Sequence, residues 1–214
     1  MKTHALTVGA FEENTWFLHD PASKALVLVD PGEEPRRLCA EIERLGATLN
    51  AIWITHAHLD HIGGLAGVKA VWPKVPVYGH PLDAPVWENA SRVAARYGLP
   101  FDQPEPPEHA LAEGEVLTFA NERFEVWHLP GHAPGHVAFI GSEFIVSGDV
   151  LFAGSIGRTD LPLCDPEAME RSLARLATLP EHLRVLSGHG EETTIGRERL
   201  NNPFLNGTAR VRRN

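Results

Sequence analysis

Residues 51–64, AIWITHAHLDHIGG, place four potential metal ligands directly behind an apolar run. The four are His56, His58, Asp60 and His61. In an extended segment, residues two positions apart point to the same side, so His56 and His58 can hold one ion together. Asp60 and His61 lie where the chain turns towards a helix and point elsewhere. The spacing therefore predicts a site that can reach more than one metal ion.

Three later segments each place a histidine or an aspartate just behind an apolar strand. They are LPGHAPGH with His132, SGDVLF with Asp149 and SGHG with His189. Ligands at strand ends can converge on one edge of a sheet, where rigid elements hold them. The whole set is too large for one tetrahedral ion and suits two ions that share a carboxylate and a water. Because it contains His and Asp but no Cys, it favours Zn²⁺, Mn²⁺ or Fe²⁺ in an open site.

The other histidines can be explained without a metal, because a single histidine behind a strand is more often an ordinary structural residue. We interpret the following six in this way: His4, His19, His80, His109, His128 and His182. A non-enzymatic alternative is that the metals only stabilise the fold. Structural sites are usually saturated by protein ligands, whereas this set leaves room for solvent.

Composition limits the class of protein and its partners. The 214 residues are 43% hydrophobic and 22% charged, which is typical of a globular protein with a sizeable core. The net charge of −9 argues against a nucleic-acid partner, and the one basic cluster, ARVRRN at 209–214, predicts an exposed terminus. Cys39 and Cys164 show no CxxC spacing, and no segment has the length of a membrane span. We therefore expect a cytoplasmic protein that does not bind membranes; its oligomeric state is not indicated.

Hydrophobic patterning predicts the elements that position these ligands. The predicted strands are 25–29, 51–54, 75–79, 115–119, 123–129, 136–141, 143–149 and 184–190. The predicted helices are 33–46, about 61–71, 84–97 and 165–179, the last with Asp165 as its N-cap. Strands and helices in each half predict an α+β fold, an αββα sandwich of two facing mixed sheets with outer helices. We expect one domain over residues 1–214.

Taken together, the motifs resemble those of the metallo-β-lactamase-fold superfamily. THAHLDH is similar to its HxHxDH signature, and LPGHAPGH, SGDVLF and SGHG are similar to its later metal-binding motifs, in the expected order. GDVLFAGSIGRTDLP and GHGEETTIGRERLNNPFL are most similar to the single-domain branch of glyoxalase II-like (hydroxyacylglutathione hydrolase-like) enzymes. The resemblance implies the metallo-β-lactamase fold and hydrolysis of an S-2-hydroxyacylglutathione-like thioester or a related ester.

The resemblance also assigns the ligands to two divalent ions per chain, Zn²⁺ in preference to Fe or Mn. It implies one metal on His56, His58 and His132, the other on Asp60, His61 and His189, and Asp149 as the bridge. A metal-bridging hydroxide would be the nucleophile, and Asp60 would orient it as well as bind metal. His136 matches a family position that supports the ligands and does not bind metal.

The chain departs from full-length glyoxalase II in two places. Too few residues follow His189 to form the helical region that helps hold glutathione in that family, so we expect no separate C-terminal glutathione-binding domain. The family's lysine and tyrosine are replaced by Arg158 and Asp160 in GRTD. The planar guanidinium of Arg158 suits a substrate carboxylate, and a salt bridge with Asp160 or Glu167 is the alternative.

A mononuclear non-haem iron persulfide dioxygenase is the alternative function. Those enzymes also resemble this sequence, including GRTD, and hold one iron through two histidines and an aspartate, here His56, His132 and Asp149. They tend to have Cys where this chain has His136. Since every ligand for a second metal is present, the binuclear hydrolase is favoured. A β-lactamase is less favoured, because those enzymes do not use a bridging aspartate.

Overall fold

A computed structural model describes residues 1–211; the end of the predicted exposed basic tail, residues 212–214, lies outside the described residues. The chain divides into two compact units, Met1–Leu111 (the first unit) and Ala112–Asn214 (the second unit). Each contains one six-stranded sheet. Among the described residues, no helix has the length and apolar character needed to cross a membrane.

The sheet of the first unit has strands in chain order, β1 to β6. Their bounds are β1 Lys2–Val8, β2 Glu13–Asp20, β3 Ala25–Val29, β4 Thr48–Trp53, β5 Val77–Gly79 and β6 His109–Ala110. The first three strands pair antiparallel, and β3 to β6 pair parallel. Because parallel strands end at the same edge, the loops that follow β3, β4 and β5 emerge side by side.

Four α-helices accompany this sheet. They are α1 Pro35–Leu45, α2 Leu59–Ile62, α3 Leu65–Val71 and α4 Ala84–Tyr97, with a 3-10 turn at Pro81–Asp83. As predicted, α1 buries Leu38 and Ile42 and ends at Gly46, whose φ of 59° is the left-handed conformation that glycine adopts without strain. The single helix predicted near 61–71 is instead two short helices, because the Gly64 amide donates to the Pro31 carbonyl and not to a carbonyl of the preceding helical turn.

The described part of the second unit has a mixed sheet of order β12-β11-β10-β9-β8-β7 and the helices α5 and α6. The bounds are β7 Val116–Phe119, β8 Glu122–His128, β9 Val137–Ile140, β10 Phe144–Gly148, β11 Arg184–Ser187, β12 Thr193–Thr194, α5 Pro166–Leu176 and α6 Ile195–Asn201. Only the β10–β11 pair is parallel among the described strand pairs of this sheet. Both predicted hairpins form, and Asp165 caps α5 by accepting hydrogen bonds from the Glu167 and Ala168 amides.

Hydrophobic patterning does not predict β1, β2, β6, β12 or α6. The sequence of β2, ENTWFLHD, shows why: Glu13, Asn14 and Thr15 are polar and yet almost completely buried. Their burial depends on partners from other segments, which the pattern of one strand does not contain.

Candidate metal centre

In the first unit, the candidate site begins where β3 and β4 end side by side. Val29 lies opposite Trp53 in the parallel ladder, so the loops after these strands emerge together. The Asp30 carboxylate accepts a hydrogen bond from the Thr55 amide at 2.7 Å and another from the Thr55 hydroxyl at 2.6 Å. These bonds fasten the start of the HxHxDH loop to the end of β3.

Asp30 also fixes the protonation of two predicted ligands. Nδ1 of His61 lies 3.0 Å from Asp30 Oδ2 and donates to it. Since the single hydroxyl proton of Thr55 goes to Asp30, Nδ1 of His56, at 3.0 Å from that hydroxyl, must be the donor there. Both rings therefore carry the proton on Nδ1, which leaves Nε2 as the metal-binding nitrogen.

The four predicted ligands of the first unit lie together. The ring centroids of His56 and His58 are 4.8 Å apart, and those of His56 and His61 are 4.0 Å apart. Asp60 Oδ2 lies 3.8 Å from His61 Nε2. His56 and His61 are buried. Imidazole and carboxylate donors at this spacing fit a divalent metal ion.

Two further acidic residues support this loop. The Asp83 carboxylate accepts a hydrogen bond of 2.7 Å from the Ala57 amide, between the first two histidines of the motif. Glu13 is fully buried, and this burial raises the pKa of its carboxyl well above the usual range. Its Oε1 lies 3.9 Å from His61 Nδ1, and the Thr15 hydroxyl donates to its Oε2.

Glycine allows the turn after β3 to approach the helices that follow the motif. The Gly64 amide donates to the Pro31 carbonyl at 3.0 Å. A Cβ at position 64 would collide with the Gly32 carbonyl oxygen. The partner in this close backbone approach is the turn that carries Asp30.

In the second unit, one carboxylate oxygen approaches two histidines. Oδ2 of Asp149 lies 3.4 Å from His132 Nε2 and 3.5 Å from His189 Nε2. Nδ1 of His132 lies 2.8 Å from the Arg158 carbonyl oxygen, which can only accept, so this nitrogen is protonated and Nε2 carries the lone pair. An aspartate that faces two metal-binding nitrogens fits the predicted bridging position of Asp149.

His136 supports this cluster through a hydrogen bond with the backbone of Asp149. It is fully buried, and its Nε2 accepts a hydrogen bond of 2.9 Å from the Asp149 amide. This contact positions the aspartate, in agreement with the role expected for His136 from the sequence.

Arg158 forms the predicted alternative contact. Its Nε and Nη2 donate to the two carboxylate oxygens of Asp160 at 2.8 and 3.0 Å, on the exposed surface. A role for its guanidinium in binding substrate stays a prediction.

The predicted ligands therefore form two local clusters, His56, His58, Asp60 and His61 in the first unit, and His132, Asp149 and His189 in the second. That they complete one centre stays a prediction. The supporting residues Glu13, Asp30, Thr55 and Asp83 were missed in the sequence. Only Asp30 has a recognisable signal, because it directly follows a buried strand, as Asp149 does.

Residues 8–189 match the Metallo-beta-lactamase superfamily. The chain belongs to this superfamily. It is 40% identical over 211 residues to the hydroxyacylglutathione hydrolase GloC of Haemophilus influenzae, covering 96% of this chain and 99% of that protein. The resemblance predicted from the metal-binding motifs is thus confirmed.

Two solved structures are similar over nearly the whole chain. TTHA1623 in a di-iron-bound form is 44% identical with a TM-score of 0.87, covering 94% of this chain and 100% of its own. The BLEG-1 B3 metallo-beta-lactamase is 37% identical with a TM-score of 0.86, covering 95% of this chain and 99% of its own. The two mixed sheets and their helices match the α/β sandwich of these structures, which confirms the predicted fold class.

Proposed function

We propose that this protein is a binuclear metallohydrolase that cleaves an S-2-hydroxyacylglutathione-like thioester or a related ester. The observation that carries the proposal is the Asp149 carboxylate oxygen, which lies within 3.5 Å of Nε2 of both His132 and His189. A carboxylate in this position suits a pair of ions better than a single one. The 40% identical relative named as a hydroxyacylglutathione hydrolase supports the substrate class.

In the proposed centre the ligands divide between two divalent ions. One ion would bind His56, His58 and His132, the other would bind Asp60, His61 and His189, and Asp149 would be shared. Zn²⁺ suits these donors, and iron or manganese can use the same set. The di-iron form of TTHA1623 illustrates the second possibility in a protein of the same fold.

The roles of the chain's own residues follow from their hydrogen bonds. When bound, two divalent ions would supply an activated water as nucleophile and polarise the substrate carbonyl. The Asp60 carboxylate would accept a hydrogen bond from that water and orient it. Asp30 keeps the proton of His61 on Nδ1 and so holds the ring in its binding orientation. Arg158 would exchange Asp160 for a carboxylate of the substrate.

The decisive experiment measures metal content and activity on one sample purified without chelators. We expect about two metals per chain. We also expect cleavage of S-lactoylglutathione, which is monitored through the loss of its thioester absorbance. The exposed His182, which belongs to neither cluster, gives a matched control: His182→Gln should keep both metals and the activity.

Two results would contradict the proposal in different ways. One iron per chain, no thioester cleavage and O₂ uptake with glutathione persulfide would indicate the dioxygenase, with His56, His132 and Asp149 as its ligands. Two metals per chain without thioester cleavage would support the binuclear centre and exclude an S-2-hydroxyacylglutathione-like thioester as the substrate. Lactones and β-lactams would then be the next compounds to test.

A further inference from the structure

A cavity of about 240 Å³ lies in the first unit, beside the candidate metal ligands. It lies among the end of β4, the end of β5 and the start of α4. We call it the Trp87 pocket and define it by Ile54, His56, Gly79, Trp87, Pro107 and Ala110. Ile54, His56 and Trp87 are buried and form its floor, whereas Ala84 and Ala110 are exposed at its rim.

The walls of the Trp87 pocket are apolar and fixed by contacts. Nε1 of Trp87 donates to the Pro104 carbonyl at 3.0 Å, so its one polar atom is satisfied outside the pocket. A Cβ at Gly79 would lie 2.6 Å from Pro107 Cγ, so only glycine lets the proline close the wall this tightly. The pocket is therefore already formed before any ligand arrives, which lowers the entropic cost of binding.

The volume and the position of the Trp87 pocket indicate what it holds. A dry protein cavity of about 150 Å³ accepts benzene, so a pocket of 240 Å³ has room for a branched or aromatic hydrocarbon group. Its floor includes His56, a proposed ligand of the first metal. The pocket thus shares His56 with the proposed metal centre.

The charge at the pocket indicates which side of a thioester enters. The charged residues along its lining are Asp83, which is held by the Ala57 amide, and the exposed Glu88. The other titratable side chains of the lining are the imidazoles of His56 and His80. Because the described lining residues include no Lys or Arg that could pair with the carboxylates of a carrier thiol such as glutathione, the pocket suits a neutral apolar acyl group better.

We propose that the Trp87 pocket binds the acyl group of the substrate and selects thioesters with branched or aromatic acyl groups over those with small ones. This rests on the hydrolase function proposed above. It adds a specificity site made of α4 and the segment around Pro107 to the metal-binding loops.

A binding measurement tests the pocket without relying on catalysis. Fluorine NMR of 4-fluorobenzyl alcohol, a neutral probe, is recorded with the metal-loaded protein. We expect its line to broaden with the native chain and to return to the free width with Ala84→Phe, which fills the rim. Ala95→Phe is the matched control, because Ala95 is exposed on the same helix and does not line the pocket. Broadening that is unchanged in Ala84→Phe would overturn the proposal.

A selectivity measurement tests the assignment to the acyl group. The ratio of kcat/KM for S-benzoylglutathione to that for S-acetylglutathione should be at least about tenfold, as expected for burying an aromatic group. Ala84→Phe should lower this ratio about tenfold, and Ala95→Phe should leave it at the native value. The assignment is overturned if Ala84→Phe leaves this ratio unchanged. It is also overturned if Ala84→Phe changes the ratio of kcat/KM between thioesters that differ only in the thiol.

The two measurements separate the failure of this site from the failure of the function. If no thioester is cleaved but the probe binds and is excluded by Ala84→Phe, the thioesterase proposal fails and the apolar site is supported. If thioesters are cleaved but the line broadening of the probe is unchanged in Ala84→Phe, the hydrolase function is supported and the proposal for the Trp87 pocket is refuted.

Discussion

The two units build their ligand clusters in opposite ways. In the first, all four ligands belong to one loop, from His56 to His61, and a neighbouring side chain, Asp30, holds the histidine rings. In the second, each candidate ligand follows a different strand, and one backbone carbonyl and the side chain of His136 support the cluster. Nδ1 of His132 donates to the Arg158 carbonyl, and the Asp149 amide donates to His136.

This difference shows what each cluster depends on. A ligand set within one loop survives as long as that loop keeps its shape. A distributed set depends on strand register: Gly148 lies opposite Ser187 in the β10–β11 ladder, and the Gly188 amide donates to the Gly148 carbonyl at 2.9 Å. That register places Asp149 and His189 beside each other.

The largest effect is expected for substitution of Asp149. Because its Oδ2 faces both His132 and His189, we expect Asp149→Asn to lower kcat/KM about a thousandfold and to weaken the binding of both metals. Asp60→Asn should weaken the binding of mainly one of the two metals. Elemental analysis per chain and thioester kinetics measure this, with the exposed Asp102→Asn as control. Full metal loading in Asp149→Asn would show that the aspartate does not bridge.

The side-chain support in the first unit is tested by Asp30→Asn. Asparagine has one acceptor oxygen and cannot take all the hydrogen bonds from the Thr55 amide, the Thr55 hydroxyl and His61. We expect metal affinity to fall about 10–100-fold, as for other residues that orient metal-binding histidines. Chelator competition measures the affinity. The control is Asp20→Asn, at a half-buried aspartate at the end of β2, and this variant should bind metal normally. An equal loss in both variants would point to a general effect on the fold.

The backbone support in the second unit is tested by Arg158→Ala. The carbonyl that orients His132 remains in this variant, so we expect unchanged metal content. If the guanidinium binds a substrate carboxylate at this exposed site, KM for S-lactoylglutathione should rise about threefold. Arg199→Ala, which breaks another exposed ion pair, with Glu181, is the control. Loss of metal in Arg158→Ala would contradict the backbone role.

The smallest effect concerns helix ends and stability. Asp165 caps α5 in the second unit, whereas α3 in the first unit begins at Gly64 with no side-chain cap. Asp165→Ala should lower the free energy of unfolding by about 1 kcal/mol, or roughly 2–4 °C in Tm. Asp165→Asn retains a capping oxygen and should cost less. Calorimetry distinguishes the two, and equal losses would show that the cap contributes little.

Several elements were predictable because their signals are local. The helix over 84–97 has the predicted bounds, and Gly46 ends α1 as expected, since amphipathic spacing and left-handed glycine are properties of a short segment. The strand β2 was missed because its polar start is buried by Asp30 and its neighbours. The 61–71 helix was predicted as continuous because its interruption serves the close approach of Gly64 to the turn after β3.

The sequence by itself determined the superfamily, the donor types and the candidate ligands. The HxHxDH motif, and the His and Asp residues that follow the later strands, can be recognised from the order of the residues alone. Tertiary structure decided that Asp30 holds His56 and His61, that Arg158 supports His132 through its backbone, and that a pocket adjoins His56. Those relations join residues that are distant in the chain. They depend on which strands pair and in what register, and no local pattern encodes that choice.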